Sequence, residues 1–383
     1  MNCYASMISY LELIRTFPKL KERRHGSISN ELLKSLSLES RKPIFESIQD
    51  AAEGYELLTE SSAVKYTIGA MSEVNPDYTD ISKRTGERVA ETLSNLLQTD
   101  GIMVVSRMQG SVPLNIHIKG HSDVDMLIIK IPIVLVQTPQ SPLASYSPPT
   151  DTRPMVDILK ELRELCEEKL TNRYHAVTVD CDNSKSIAME GGSLQRKVDV
   201  VPACWFDNIE YQESQNEVNR GVKIYDKKNH ELIGNSPFKH MDLVEQKDKF
   251  YIGNLKKLVR LLKNLVADMP DAKNAKAKKL SSFDLVSIVY SMNDLLECSE
   301  YTPLLLVDKL LTKLNQFVNE PTLRDSQTVP DKSRVIFDNN SKIIALGVIC
   351  DEVQSLRDAI YRDVTGGATS FNASKLGEKI INA

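Results

Sequence analysis

The chain of 383 residues predicts an α+β protein, with a mixed-sheet lobe packed with helices followed by a C-terminal helical lobe. The pattern of apolar residues carries this expectation. Short β-branched runs alternate with helical segments between residues 100 and 235, whereas after Pro237 the apolar positions recur at helical spacing. The length adds a prior of two to three domains and a core that needs no covalent staples. A boundary is expected at 235/236, with residues 1–235 holding the N-terminal helices and the sheet core and residues 236–383 the helical lobe.

Taken in order, the first elements are helices over Ile44 to Leu58 and Asp80 to Leu97, the second with Val89, Leu93 and Leu96 on one apolar face. An apolar run from Met126 to Val136 has strand character. Gln137 to Pro154, rich in proline and serine, reads as a mobile excursion. Met155 to Thr171 is an amphipathic helix carrying Met155, Ile158, Leu159, Leu162, Leu165 and Cys166 on one side. Strands return at Ala176 to Val179, Ser186 to Met189 and Lys197 to Ala203, the last preceded by a Gly191-Gly192 turn.

In the C-terminal part, Tyr251 to Asp268 places Leu255, Leu258, Val259, Leu262, Leu265 and Val266 on one stripe, and Lys256, Arg260 and Lys263 on a face that reads as basic and solvated. Lys273 to Lys279 reads as a flexible, solvated loop whose charge could help attract triphosphates. Leu304 to Phe317 and Ser341 to Arg362 are the remaining clear helices.

The chemistry concentrates in Met108-Gln109-Gly110-Ser111 and in Ser122-Asp123-Val124-Asp125, which begins an apolar strand. Residues i and i+2 of a strand share a face, so Asp123 and Asp125 would project together with Val124 packed behind them. Two carboxylates at this spacing suit a hard cation, and Mg²⁺ completes its octahedron with water and substrate phosphates. A two-metal site asks for a third carboxylate. Asp199 supplies it, as the acidic residue of an otherwise apolar strand, where a carboxylate without a cation or hydrogen bonds is expensive. Gly110 lets the backbone approach an anion, and Ser111 offers a hydroxyl and an amide to phosphates. A Gly-Ser dipeptide or an Asp-X-Asp alone would be an ordinary turn or a solvated strand end; their order and the later Asp199 make the pattern specific.

Composition bounds the alternatives. Hydrophobic content of 41% and charged content of 26% are those of a globular protein. A net charge of −4 argues against a protein that coats long nucleic acid. No run approaches the roughly 18 apolar residues of a membrane span, and the N-terminus has no signal-peptide pattern. The six cysteines are scattered, with no Cys-X-X-Cys pair, so reduced thiols in the cytoplasm are expected.

Gln109-Gly110-Ser111, Asp123, Asp125 and Asp199, in that order, resemble the motif of the bacterial CD-NTase family, cyclic-oligonucleotide synthases related to cyclic GMP-AMP synthase. The resemblance extends to Gly221 through Asp226, to Asn254 through Asp268 and to Leu280-Ser281-Ser282-Phe283, covering residues 90 to 300. It implies a polymerase-beta-like nucleotidyltransferase fold with a nucleotide cleft between the lobes. It also implies two Mg²⁺ ions, replaceable by Mn²⁺, that join nucleoside triphosphates into a cyclic di- or trinucleotide with release of pyrophosphate. The setting implied is CBASS antiphage defence, in which the product activates a separate effector protein. Gln109, Gly110 and Ser111 match the family's nucleotide-binding turn. Lys263, after Leu261-Leu262, matches a lysine that holds the donor triphosphate; Ser282, beside Ser281, matches a serine on the same phosphates, and Phe283 matches a position that stacks on the donor base. A phenylalanine opening an apolar helix is equally a core residue. Against this reading stand a linear nucleotidyltransferase such as an RNA-tailing enzyme or an oligoadenylate synthetase, a nucleotide-binding module with a dead site, and an interaction protein in which the motifs coincide.

Overall fold

The computed structural model describes residues 17–25, 53–367 and 371–381. The helix expected over Ile44 to Leu58 lies mostly outside these residues, and Gly54–Leu57 is its described helical part. Along the chain come α1 (Ser62–Met71), α2 (Pro76–Thr99), β1 (Met103–Gln109), β2 (Val124–Val136) and α3 (Met155–Arg173). The short strands β3 (Thr178–Asp180) and β4 (Ile187–Glu190) precede β5 (Val198–Asp207), β6 (Gly221–Asp226) and β7 (Glu231–Asn235). Next are α4 (Pro237–Phe250), α5 (Asn254–Asp268), α6 (Ser282–Tyr290), α7 (Leu305–Asn319) and α8 (Asn340–Thr365). They form two compact units interleaved in sequence: a sheet unit of Val74–His117 with Ser122–Glu245, and a helical unit of the residues through Glu73, Ile118–His121 and those from Gln246 onward.

The sheet unit is one mixed, seven-stranded sheet in the order β1-β2-β5-β4-β3, with β6 also pairing β5 and β7 extending from β6. β2 and β5 are parallel and every other pair is antiparallel. β4 borders the first residues of β5 and β6 its last, so β5 is flanked over most of its length. That burial explains its nearly continuous apolar sequence.

Strand alternation then sorts the side chains. Val124, Met126, Ile128, Val198, Val200 and Cys204 pack with Val89, Leu93 and Leu97 of α2 and Leu159, Leu162 and Cys166 of α3. Leu127, Ile129, Val201, Ala203 and Trp205 form the opposite core with Val222, Ile224 and Phe238. By the same period of two, Asp125 and Asp199 belong to this second face.

The hairpin of β6 and β7 continues the sheet beyond the strands read from the sequence. Residues 137–154 have no regular structure but are tied down: Ser141 is buried, its amide donates to Gln212 Oε1 at 2.8 Å, and Tyr146 donates to Asp207 Oδ2 at 3.0 Å. The expectation of a mobile excursion is therefore corrected, because distant side chains supply the partners that the segment lacks locally.

In the helical unit α5 is buried on nearly every side, packed against α1 and α6. The stripe of Leu255, Leu258, Val259, Leu262, Leu265 and Val266 is buried as expected, but so are Arg260, Lys263 and Asn264. The expected solvated basic face is thus corrected. Arg260 Nε donates to Met71 O at 2.7 Å and Asn264 Nδ2 to Ala70 O at 2.9 Å, satisfying carbonyls at the end of α1 that the helix itself cannot bond. Arg23 Nη1 meets Asp268 Oδ1 at 2.5 Å. These bonds give the described N-terminal residues partners on α5, whereas the boundary expected at 235/236 grouped them with the sheet.

Lys273 to Lys279 is likewise mostly not a loop, since Asp271–Ala277 is helical and Lys278 and Lys279 form the turn that follows. Ala277 is buried and Lys273 reaches Glu352 at 3.2 Å, giving the segment tertiary anchors that its lysine content hides.

Candidate active site

The site is built where β1, β2 and β5 present their ends. β1 finishes at Gln109 opposite Asp125, and Asp125 is level with Asp199 across the parallel pair. Neighbouring strands lie about 4.8 Å apart, so register alone makes these two carboxylates neighbours on one face. Asp123 stands just before β2, two residues from Asp125, with Val124 buried behind it. Extending the same register places Lys197 beside Asp123, and its Nζ lies 3.1 Å from Asp123 Oδ2.

The turn after β1 fits closely around Asp125. Gly110 has φ +83°, a left-handed conformation that suits glycine. A Cβ there would stand 2.5 Å from Asp125 Oδ2, so a larger residue would collide with the carboxylate. Ser111 is half-buried, and its carbonyl accepts Ile116 N at 3.0 Å, closing the turn. Gln109 Oε1 is buried with no hydrogen-bond partner among the described residues.

Asp199 carries the electrostatic strain. Burial raises its carboxyl above the usual carboxylate range and Asp123 pushes the same way, while Lys197 and a hydrogen bond from Ser186 act against them. Its Oδ1 is buried without a hydrogen bond among the described residues. Lys197 is held above the usual lysine range chiefly by its bond to Asp123, with Asp199 and Glu190 contributing. Among the described residues no three carboxylate, imidazole or thiol groups are already gathered into a cluster that could hold an ion. The donor set nevertheless suits Mg²⁺: three hard carboxylates share one strand-end register, and one has a buried oxygen available for a further bond.

Sequence reasoning missed Lys197 and Ser186. The signal for Lys197 was present, because a residue two before Asp199 shares its face. Nothing in the sequence distinguishes Ser186, which reaches Asp199 because β4 pairs with β5.

The structure places the remaining residues of the expected site in the helical unit. Lys263 is buried on α5. Ser281 caps α6, accepting from Asp284 N and donating to Asp284 Oδ2 at 2.8 Å, which commits its hydroxyl to the cap. Ser282 is the first residue of α6 and exposed. Phe283 is half-buried, with the Arg334 guanidinium 5.3 Å above its ring.

A mixed sheet with a Gly-Ser turn and aspartates in register on parallel strands is the arrangement of a nucleotidyltransferase. Residues 243–349 match the model of the cGAS/DncV-like nucleotidyltransferase C-terminal helical domain. The chain is 36% identical over 371 residues to a cyclic dinucleotide synthase CdnE from Yersinia aleksiciae, covering 93% of this chain and 94% of the relative. It is also 28% identical over 329 residues to a c-di-GMP synthase from Capnocytophaga granulosa, covering 77% and 86% of the two chains. The solved structure of a STING-associated CdnE c-di-GMP synthase from that organism superposes with a TM-score of 0.65, covering 91% of this chain and 98% of the other. The chain therefore belongs to the cGAS/DncV-like nucleotidyltransferase family and is an enzyme of that class. Among the described residues no helix is long and apolar enough to cross a membrane.

Proposed function

We propose that the chain joins nucleoside triphosphates into a cyclic di- or trinucleotide, releasing pyrophosphate, and that its relatives' names favour the dinucleotide. The observation that carries this reading is the level pairing of Asp125 with Asp199, whose Oδ1 is buried and has no hydrogen bond among the described residues. Asp123 and Asp125 would hold both of two Mg²⁺ ions and Asp199 one of them, with Mn²⁺ as a substitute. When bound, the ions lower the pKa of the attacking hydroxyl and neutralise charge on the leaving pyrophosphate.

The chain's own groups do the rest. Gly110 keeps the turn close to Asp125, and Ser111 offers its hydroxyl to a phosphate. Gln109 has a carbonyl oxygen in the same corner that no described residue bonds. Lys263 and Ser282 would hold the donor triphosphate, with Ser281 fixing the start of α6, and Phe283 would stack on the donor base. The product would act through a separate effector protein in an antiphage response; the Capnocytophaga relative's STING association supports that pairing. We place the enzyme in the cytoplasm, acting on free nucleotides rather than on long nucleic acid, in keeping with its net charge of −4.

Incubating the purified protein with labelled NTPs and Mg²⁺ or Mn²⁺, then with phosphatase, tests the reading. A phosphatase-resistant product is expected from wild type, and none is expected from Asp123→Ala or Asp125→Ala. A product whose label phosphatase strips would make the enzyme a linear polymeriser; unimpaired synthesis by the alanine variants would remove the carboxylates from the chemistry.

A further inference from the structure

We propose that Lys197 is a resident counter-ion of the carboxylate site, holding Asp123 in the metal-free enzyme and yielding it when a divalent ion binds. The proposal rests on the metal-site reading above and adds a role for a residue outside the acidic motif. Its basis is register. Asp125 pairs with Asp199 across the parallel strands, so the positions two residues earlier, Asp123 and Lys197, face each other in the same way. The backbone is locked at that level, with Val124 N donating to Lys197 O at 3.0 Å. The ammonium then lies 3.1 Å from Asp123 Oδ2, with Asp199 and Glu190 as further acidic neighbours.

A lysine in this place answers a problem that the site creates for itself. Carboxylates brought together on one strand end repel one another, and Asp199 is already desolvated. A tethered ammonium offsets that repulsion before any ion arrives. It is also reachable by water: the Lys197 and Asp123 side chains are 39% and 35% exposed, so the bridge breaks at little cost. Lysine suits the role better than arginine, because a compact ammonium on a flexible stem leaves a carboxylate more readily than a bidentate guanidinium. Divalent-ion binding thus becomes an exchange of cations at Asp123, which weakens affinity for the free ion and reserves full occupancy for ions that arrive with triphosphate.

A competing arrangement has the opposite sign. If Lys197 stays on one oxygen and orients Asp123 for a metal on the other, removing it weakens metal binding.

Calorimetric titration of Mn²⁺ into the nucleotide-free protein decides between them, with no turnover involved. Lys197→Gln is expected to bind Mn²⁺ about two- to fivefold more tightly than wild type, the scale of a partly exposed ion pair. Lys197→Arg is expected to bind no more tightly than wild type. Lys185→Gln, which removes a charge beside Ser186 without touching the bridge, is expected to change affinity less than twofold. Unchanged or weaker binding by Lys197→Gln, or an equal gain in Lys185→Gln, would overturn the role of Lys197. Asp125→Asn provides the separate check. If it binds Mn²⁺ as wild type does, the metal-site reading fails and the counter-ion role goes with it; if it loses the site while Lys197→Gln shows no gain, only the counter-ion role fails. Melting curves of each metal-free variant establish that the proteins compared are folded.

Discussion

Asp199 in the sheet unit and Asp284 in the helical unit are both drawn into the protein, and they are treated in opposite ways. Asp284 is saturated. Its Oδ2 accepts Ser281 N at 3.0 Å and Ser281 Oγ at 2.8 Å, its Oδ1 accepts Arg334 Nη2 at 2.6 Å, and Lys342 Nζ is 3.3 Å from the carboxylate. Asp199 has a hydroxyl from Ser186, the Lys197 ammonium nearby, an acidic neighbour in Asp123, and an Oδ1 with no hydrogen bond among the described residues. A carboxylate that serves the fold has its lone pairs filled by the fold, as at an N-cap with two cations. A buried carboxylate left short of donors costs stability, and such costs cluster where a ligand supplies the missing bond.

Substituting the two aspartates should separate these roles most widely. Asp199→Asn is expected to lower synthesis at least about a hundredfold, because the amide is a poor ligand for a hard cation. Its metal-free denaturation midpoint should stay level or rise. Asp284→Asn is expected to lower stability by about 2 kcal/mol, since an amide replaces an acceptor facing several donors. Chemical denaturation of both variants beside the product assay gives the comparison directly. If Asp199→Asn proves the destabilised one and keeps its activity, the distinction collapses.

The next effect in size concerns Lys263, a buried cation in the same unit as Asp284. Held for a triphosphate, it acts as a charge that ignores the base. Lys263→Ala is then expected to raise the apparent KM for each accepted donor NTP by about ten- to a hundredfold without altering the product, the scale of a charged hydrogen bond. Lys263→Arg should retain part of the activity. Since the residue is buried, a melting curve must accompany the kinetics; a loss of folding with unchanged KM would make it a structural cation like Arg260.

The smallest effect is on pH dependence. The Asp199 carboxyl is raised in the folded protein above its unfolded value near 4, so the native state binds more protons across that interval. Its contribution to the metal-free protein is therefore most favourable below pH 4 and is lost as pH rises through the folded value. Asp199→Asn should flatten this part of the stability profile, whereas a variant that leaves the slope unchanged would place the titrating group elsewhere.

The sheet end was legible because the period of two acts on neighbours in sequence. Asp123-Val124-Asp125 shows its geometry on its face, and Asp199 stands out in an apolar strand. The helices after Pro237 were legible for the analogous reason, their apolar stripes recurring at helical spacing. Errors arose where partners are remote. Lys256, Arg260 and Lys263 look like a solvated face because nothing local shows that the end of α1 will meet Arg260. Lysines at 273–279 look like a loop until Glu352 answers one of them.

The sequence by itself determined the fold class, the strand carrying the paired aspartates and the glycine turn before it, since each rests on backbone periodicity or on a conformation that glycine alone adopts cheaply. The tertiary structure alone decided which strand lies beside which. That choice sets Asp199 level with Asp125, brings Lys197 against Asp123 and leaves Asp199 Oδ1 without a donor among the described residues. Pairing register is a contact between segments more than seventy residues apart, fixed by which apolar faces bury together, and no local pattern encodes it.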